Sequence, residues 1–250
     1  MRTVAIIQAR TGSTRLPAKV LKHLAGRTVL EHVIARVKAA SLIDEVVIAT
    51  TTSPTDDPII ALAETCGVRW SRGSESDVLS RYFHAAREAQ ADMVVRITSD
   101  CPLLDPVVLN AMVGQFLERL GTDAEVDYLS NTLTRSYPRG LDAEVFTFAA
   151  LTSAFQEATR AHEREHVTPY FYQHPDRFRL AEVVNERDLS NHRWTLDTPE
   201  DWELIERIYA ALGPHGDIFS TQAVLGLLEA NPELLTINAH IEQKKLESTP

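Results

Sequence analysis

Cysteine is scarce in this chain: Cys66 and Cys101 are the only two in 250 residues. Two thiols cannot make a disulfide framework, and their scarcity suits a reducing cytoplasm. Long apolar runs are missing too. The run Val4-Ala5-Ile6-Ile7 is too short for the core of a secretion signal, and no other stretch is long enough to span a bilayer. Positive charge is in deficit, with 25 Lys and Arg against 35 Asp and Glu for a net charge of −10. That balance argues against nucleic acid or an anionic membrane as the main partner. Several signatures are absent as well. There is no G-x-x-x-x-G-K-[ST] phosphate loop and no G-x-G-x-x-G fingerprint after the first apolar run. Nor is there an Asp-x-Asp triplet of the kind expected in a glycosyltransferase built on a similar sheet. The remainder, 44% hydrophobic and 24% charged, is a globular composition with material for one large core.

What positive charge there is gathers at the start. Arg2, Arg10, Arg15, Lys19, Lys22 and Arg27 all precede the first acid, Glu31. The segment Gln8-Ala9-Arg10-Thr11-Gly12-Ser13-Thr14-Arg15-Leu16-Pro17-Ala18-Lys19 directly follows the apolar run Val4–Ile7. A strand, a glycine-containing loop and then cations is a general device for phosphate. Backbone N–H groups at Gly12 and Ser13 can point at oxygens while Arg10, Arg15 and Lys19 neutralise charge. The competing reading is a solvated loop whose arginines pair with the surplus acids.

Strand and helix patterns alternate along the chain. Val4–Ile7, Glu45–Thr50 and Met93–Ile97 read as buried parallel strands. Thr28-x-x-Glu31 is a capping box opening a helix with an apolar stripe at Leu30, Val33, Ile34 and Val37. Further helices are expected from Asp56, from Ser74-x-x-Asp77 and near Asp105. Later ones are expected over His162–Tyr172, Glu200–Leu212 and Ser220–Ala230. After residue 120 the alternation loosens, with strands expected at Asp127–Leu129, Leu141–Phe148 and Arg193–Leu196. The fold class is therefore α/β: a mostly parallel sheet with helices on both faces and a small antiparallel excursion at 125–150. A single domain over 1–237 and a polar tail over 238–250 complete the expected organisation.

Ligands of open α/β sheets bind at the carboxyl ends of strands. Asp100, just past the strand Met93–Ile97, should therefore share a crevice with the basic loop, where a carboxylate beside phosphates suits Mg²⁺. Asp197 has two readings, a second carboxylate in that crevice or the N-cap of the helix after Pro199. Asp142 and Glu144 fall on one face of the Leu141–Phe148 strand, where they could grip hydroxyls or an amine of a second substrate. His166, beside Glu165 on an amphipathic helix, is a further candidate. Cys101 abuts Asp100 without an identifiable base and reads as packing.

These residues resemble a known family. The stretch from Ile6 to Leu21 is similar to the N-terminal signature of the sugar-acid cytidylyltransferases, the acylneuraminate and 3-deoxy-manno-octulosonate enzymes. With Gln8 in place of the usual Pro, it is most similar to the branch named for spore-coat polysaccharide biosynthesis protein F. The resemblance continues at Arg72-Gly73-Ser74-Glu75-Ser76-Asp77, Asp100-Cys101-Pro102-Leu103, Tyr137–Phe146, Glu165–Tyr170 and Asp197-Thr198-Pro199-Glu200-Asp201. It implies a three-layer, Rossmann-like nucleotidyltransferase fold, usually a homodimer, that moves CMP from CTP to a sugar hydroxyl and releases pyrophosphate. By position it implies Arg10, Ser13, Arg15 and Lys19 on the triphosphate, with Gln8, Ala9, Gly12, Arg72 and Ser74 also around the nucleotide. It puts Mg²⁺ on Asp100 and Asp197, and the second substrate by Arg139, Asp142, Glu144 and His166. Thr98-Ser99 departs from the Gln-Gly that commonly precedes the metal Asp in the enzymes for acidic sugars. Another NTP or a non-acidic acceptor are therefore alternatives, as is a glycosyltransferase.

Overall fold

The computed structural model describes residues 1–243. β1 (Thr3–Gln8) leads into the basic loop, a 3-10 turn at Lys19–Leu21, and a small hairpin of β2 (His23–Leu24) and β3 (Arg27–Thr28). α1 (Val29–Lys38) opens with the expected capping box, in which Thr28 Oγ1 accepts from Glu31 N and Glu31 Oε2 accepts from Thr28 N. β4 (Glu45–Thr51), α2 (Asp57–Thr65), β5 (Arg69–Gly73), α3 (Val78–Glu88), β6 (Met93–Thr98) and α4 (Pro106–Arg119) continue the alternation. β7 (Tyr128–Ser130), β8 (Glu144–Thr147), α5 (Phe148–Glu157), α6 (Ala161–His166), α7 (Pro169–Tyr172) and β9 (Leu180–Glu182) follow. α8 (Pro199–Leu212) and α9 (Thr221–Ala230) come last.

The strands form one sheet in the order β5-β4-β1-β6-β8-β7-β9. β8 runs antiparallel to both its neighbours, and every other pairing in this sheet is parallel. Side chains alternate between two apolar layers. Ala5, Ile7, Ile48 and Val95 pack under α1, α2 and α4, while Val4, Ile6, Val47 and Val94 pack under α3 and α5. A third cluster seats α8 and α9 against Leu24, Val29, Trp194 and Leu196. This is the α/β architecture read from the sequence, with the antiparallel excursion reduced to β8.

Several local expectations are corrected. Ser74 does not cap α3; Asp77 does, accepting from Ser80 N at 2.9 Å. The strand expected over Leu141–Phe148 shrinks to Glu144–Thr147. Arg193–Leu196 makes no strand, and its only ladder contact is an isolated parallel bridge from Arg193 to Arg139. The helix expected over His162–Tyr172 breaks at Val167, whose φ is 72° and whose side chain is fully buried. Pro169 restarts it, because a proline lacks the N–H that an unbroken helix needs there. β5 and α5 were not anticipated. Of the polar tail expected over 238–250, residues 244–250 lie outside the described residues. Asn238 is buried and hydrogen-bonded to the body of the protein.

Candidate functional site

The carboxyl ends of the parallel strands make one edge, and the basic loop crosses it. The loop is anchored rather than loose. Ala9 N donates to Ala49 O at 3.1 Å, and Ala18 N donates to Thr11 O at 3.2 Å. Asp56 is the chief anchor. Its Oδ1 accepts from both the N–H and the hydroxyl of Thr11, and its Oδ2 accepts from the hydroxyl of Thr51. Burial pushes the Asp56 carboxyl up, but these donors outweigh it and hold its pKa below the ordinary range.

Asp100 and Asp197 are far apart in sequence and meet at this edge. Leu196 N donates to Asp100 O at 2.9 Å and the Thr195 hydroxyl reaches the same oxygen at 3.3 Å, which carries Asp197 to its partner. Gly140 lets that segment approach. Its φ is 104°, and a Cβ there would lie 2.6 Å from the Trp194 carbonyl carbon. The helix cap is Thr198, which accepts from Asp201 N at 3.3 Å, so Asp197 is released from capping and faces the crevice.

Lys19 Nζ lies between the two carboxylates, 2.8 Å from Asp100 Oδ2 and 2.9 Å from Asp197 Oδ1. Arg15 Nη2 stands 3.4 Å from the same Asp197 oxygen. Burial lowers the Lys19 pKa, but the charges of Asp100 and Asp197 outweigh it and raise the value, so the ammonium stays charged through neutrality. Burial likewise pushes Asp100 up and the Lys19 charge overrides it, leaving that carboxyl below its ordinary value. Two carboxylate oxygens thus converge on one cation position, filled by Lys19 with Arg15 alongside. Among the described residues no third His, Cys, Asp or Glu joins them. A divalent cation here would take its remaining oxygens from water and substrate.

The other expected residues divide. Arg10, 46% exposed on its side chain, pairs with Glu75 at 3.1 Å. Ser13 N is spent on Thr11 O at 2.8 Å and so is not the free amide anticipated, while its Oγ faces Leu16 N at 3.4 Å. Gly12 lies at the loop's turn, 3.4 Å from Glu75 at its implied Cβ. Ala9 is buried in the core, and Gln8 ends β1 with a buried Oε1 that has no partner. Arg72 is tied to the loop after β4, donating to Thr51 O, Ser53 O and Asp57 Oδ1 at 2.7, 2.7 and 2.9 Å. Ser74 accepts from Asp77 N at 3.2 Å in the exposed loop before α3.

On the second-substrate side, Asp142 holds Arg135 in a two-pronged pair at 2.7 and 3.1 Å. Glu144 is a correction. It does not share an open strand face with Asp142, because β8 only begins there. Its carboxylate is buried against Arg96 and the Tyr128 hydroxyl. Arg139 is half-buried beside Arg135 and Arg193, and burial and those charges lower its pKa. His166 ends α6, which packs by the start of α3, where Arg164 pairs with Asp77.

Comparison with known proteins fixes the class. A family model described as cytidylyltransferase matches residues 4–231. The chain belongs to the cytidylyltransferase family. Spore coat polysaccharide biosynthesis protein SpsF of Bacillus subtilis is 34% identical over 238 residues, covering 92% of this chain and 95% of that one. A solved cytidylyltransferase from Leptospira borgpetersenii superposes with a TM-score of 0.88 at 34% identity, over 98% of this chain and all of the other. A CMP:2-keto-3-deoxy-manno-octonic acid synthetase solved with CTP shares the fold, with a TM-score of 0.62 at 18% identity over 84% of this chain and 99% of that one. This cytidylyltransferase is thus an enzyme of the nucleotidyltransferase class, as the N-terminal motif implies.

Sequence reasoning missed the residues that hold Asp197. Arg193 Nη2 donates to Asp197 Oδ2 at 2.9 Å, and the same guanidinium grips fully buried Asp201 through Nε and Nη2 at 2.9 and 3.0 Å. The spacing of Arg193, Asp197 and Asp201 was a signal, hidden because 193–196 read as a strand. Cys101 packs as expected. It is 3% exposed, and burial with the neighbouring Asp100 charge pushes its thiol well above the usual value. Native cytidylyltransferase should resist iodoacetamide at Cys101 at pH 7.5 and label there only after denaturation. Peptide mapping that finds fast native labelling would restore Cys101 as a reactive group.

Proposed function

We propose that this protein transfers CMP from CTP to a hydroxyl of a sugar or sugar acid and releases pyrophosphate, serving surface polysaccharide synthesis. The observation that carries the reading is the convergence of Asp100 and Asp197 on the Lys19 ammonium, with Arg15 alongside. The family description and the B. subtilis relative's name support the nucleotide and the pathway class.

In this reading the acceptor hydroxyl attacks the α-phosphorus, its O–P bond forms as the bond from the α-phosphorus to the oxygen bridging to the β-phosphate breaks, and the hydroxyl proton passes to solvent water. Arg10, Arg15 and Lys19 neutralise the charge that collects on the departing pyrophosphate. Asp100 and Asp197 would hold Mg²⁺, whose charge would make the acceptor hydroxyl more acidic and screen the phosphate. Lys19 fills the place between the two carboxylates, and the phosphates would offer its ammonium an alternative partner. Arg193 and Asp201 keep Asp197 aimed at the crevice. Arg139, Arg135 and Asp142 form the side that receives the acceptor.

Pyrophosphate release should be seen with CTP, Mg²⁺ and a panel of sugars and sugar acids, in preference to UTP, GTP or ATP. No release with any NTP would sink the reading, and release without a preference for CTP would remove the cytidylyl part alone. Arg15→Ala should raise the CTP dissociation constant about tenfold by calorimetry, the value of one charge-assisted contact. An unchanged affinity would take Arg15 out of the triphosphate site.

A further inference from the structure

Arg193 lies in a segment that no strand holds. Its single bridge to Arg139 uses the Trp194 N–H and the His192 carbonyl, at 2.7 and 3.0 Å, so the Arg193 carbonyl takes no part in it. The chain after α9 takes that carbonyl instead. Asn238, 5% exposed, donates from Nδ2 to Arg193 O and to Asp201 Oδ1, both at 2.9 Å. One amide thereby joins the backbone of Arg193 to the carboxylate that grips its guanidinium. Further on, Gln243 Oε1 accepts from Arg193 Nη1 at 2.5 Å. Every nitrogen of the guanidinium is then engaged: Nε on Asp201, Nη2 on Asp201 and Asp197, and Nη1 on Gln243. A planar fork held at all three nitrogens has one orientation.

Packing alone does not close this segment onto residues 190–194. A cavity of about 420 Å³ is lined by both stretches, among them Asn191, His192, Ala239 and Ile241. Buried Leu234 anchors the segment from one end, and Ile241 N closes a turn onto Asn238 O at 3.0 Å. The polar ties that remain converge on Arg193. Their consequence falls on Asp197, whose Oδ2 is held by Arg193 Nη2 at 2.9 Å while its Oδ1 faces Lys19 at 2.9 Å. The last torsion of an aspartate side chain has broad, soft preferences. With one oxygen fixed, the other is presented to the crevice in a set direction. With Arg193 loosened, the carboxylate can turn.

We propose that residues 238–243 form a strap that fixes Asp197 for a divalent cation. Asn238 and Gln243 are its positioning residues, and both act through Arg193, Asn238 also through Asp201. Groups behind a metal-binding carboxylate set its direction and so its affinity, without touching the ion. The inference rests on the proposed use of Asp197 for a metal ion, and it extends the site past the last helix of the fold.

Mn²⁺ is the probe, titrated into protein saturated with CTP in the absence of an acceptor and followed by electron paramagnetic resonance against a CTP-only control. Calorimetry with CTP in EDTA and a thermal melt are run on the same preparations. The wild type should bind Mn²⁺ in the presence of CTP. Asn238→Leu, which keeps the side chain's size and loses both donors, should raise the Mn²⁺ dissociation constant about tenfold. Gln243→Ala, at an exposed position, should raise it about threefold, the worth of one hydrogen bond, with the melting temperature unchanged. Affinity for metal-free CTP should hold in both, because Arg10, Arg15 and Lys19 are untouched. Unchanged Mn²⁺ binding in either folded variant would overturn the inference. So would a parallel loss of metal-free CTP affinity, the mark of general loosening. Should Asn238→Leu not fold, Gln243→Ala decides. A wild type that binds CTP but no Mn²⁺ would take the metal from Asp197 and overturn the inference while nucleotide use stands. No binding of either would fell the proposed function itself, and this inference with it.

Discussion

Asp100→Asn is expected to lower turnover by about 10³-fold or more while the protein still folds, a loss of at least ~4 kcal/mol of transition-state stabilisation. The substitution keeps the side chain's shape and removes one of the two negative charges that face the Lys19 position. Those charges are what would hold a divalent ion there, and an amide binds Mg²⁺ far less well than a carboxylate. Fold should survive because Asp100's side chain is 23% exposed and Lys19 keeps Asp197 as a partner at 2.9 Å. The backbone carbonyl of Asp100, which receives Leu196 N, is untouched. Pyrophosphate release and a thermal melt on the same preparation decide it. Near-normal turnover would remove Asp100 from the reaction, and loss of fold would make it a structural residue.

Asp201→Ala should do the reverse, acting first on stability. The carboxylate is fully buried and accepts from Arg193 twice, from Asn238 Nδ2 at 2.9 Å, and from the backbone N–H groups of Asp197 and Thr198 at 2.9 and 3.1 Å. Removing it leaves Arg193 buried with its charge reduced to one carboxylate partner, and it opens the N-terminal capping box of α8. Breaking a buried pair of this kind costs about 3–5 kcal/mol. In a chain of this size that is about 6–20 °C of melting temperature. Arg193 is then expected to lean wholly on Asp197, so nucleotide affinity falls in the surviving folded protein. A melting temperature within a degree or two of wild type would show that Asp201 is not the keystone of this end. Asp201→Asn, which keeps one acceptor oxygen, should lose less than Asp201→Ala.

Much of the frame was legible in the chain because its signals are local. Val4–Ile7, Glu45–Thr50 and Met93–Ile97 are mostly apolar on both faces, as strands sandwiched between helices tend to be. The capping box at Thr28 and Glu31 announces α1 through atoms three residues apart. β5 was missed because Arg69-Trp70-Ser71-Arg72-Gly73 is an edge strand with polar side chains, and only its pairing with β4 makes it a strand. Arg193–Leu196 misled in the opposite sense. Its apolar residues serve the packing of Trp194 and Leu196 against α8 rather than a ladder. Glu144 looked like an exposed acid because Arg96, its partner, is 48 residues away in sequence and becomes its neighbour only through the β6–β8 pairing.

By itself the sequence determined the class of protein, the cation-rich loop after the first strand and the position of two carboxylates at strand and helix ends. Each depends on residue types at fixed short spacing. The tertiary structure decided which charges meet. It set Lys19 between Asp100 and Asp197, freed Asp197 from capping by giving that role to Thr198, and withdrew Glu144 into the core. Charges interact through distance and burial, and both are properties of the folded chain that no local spacing encodes.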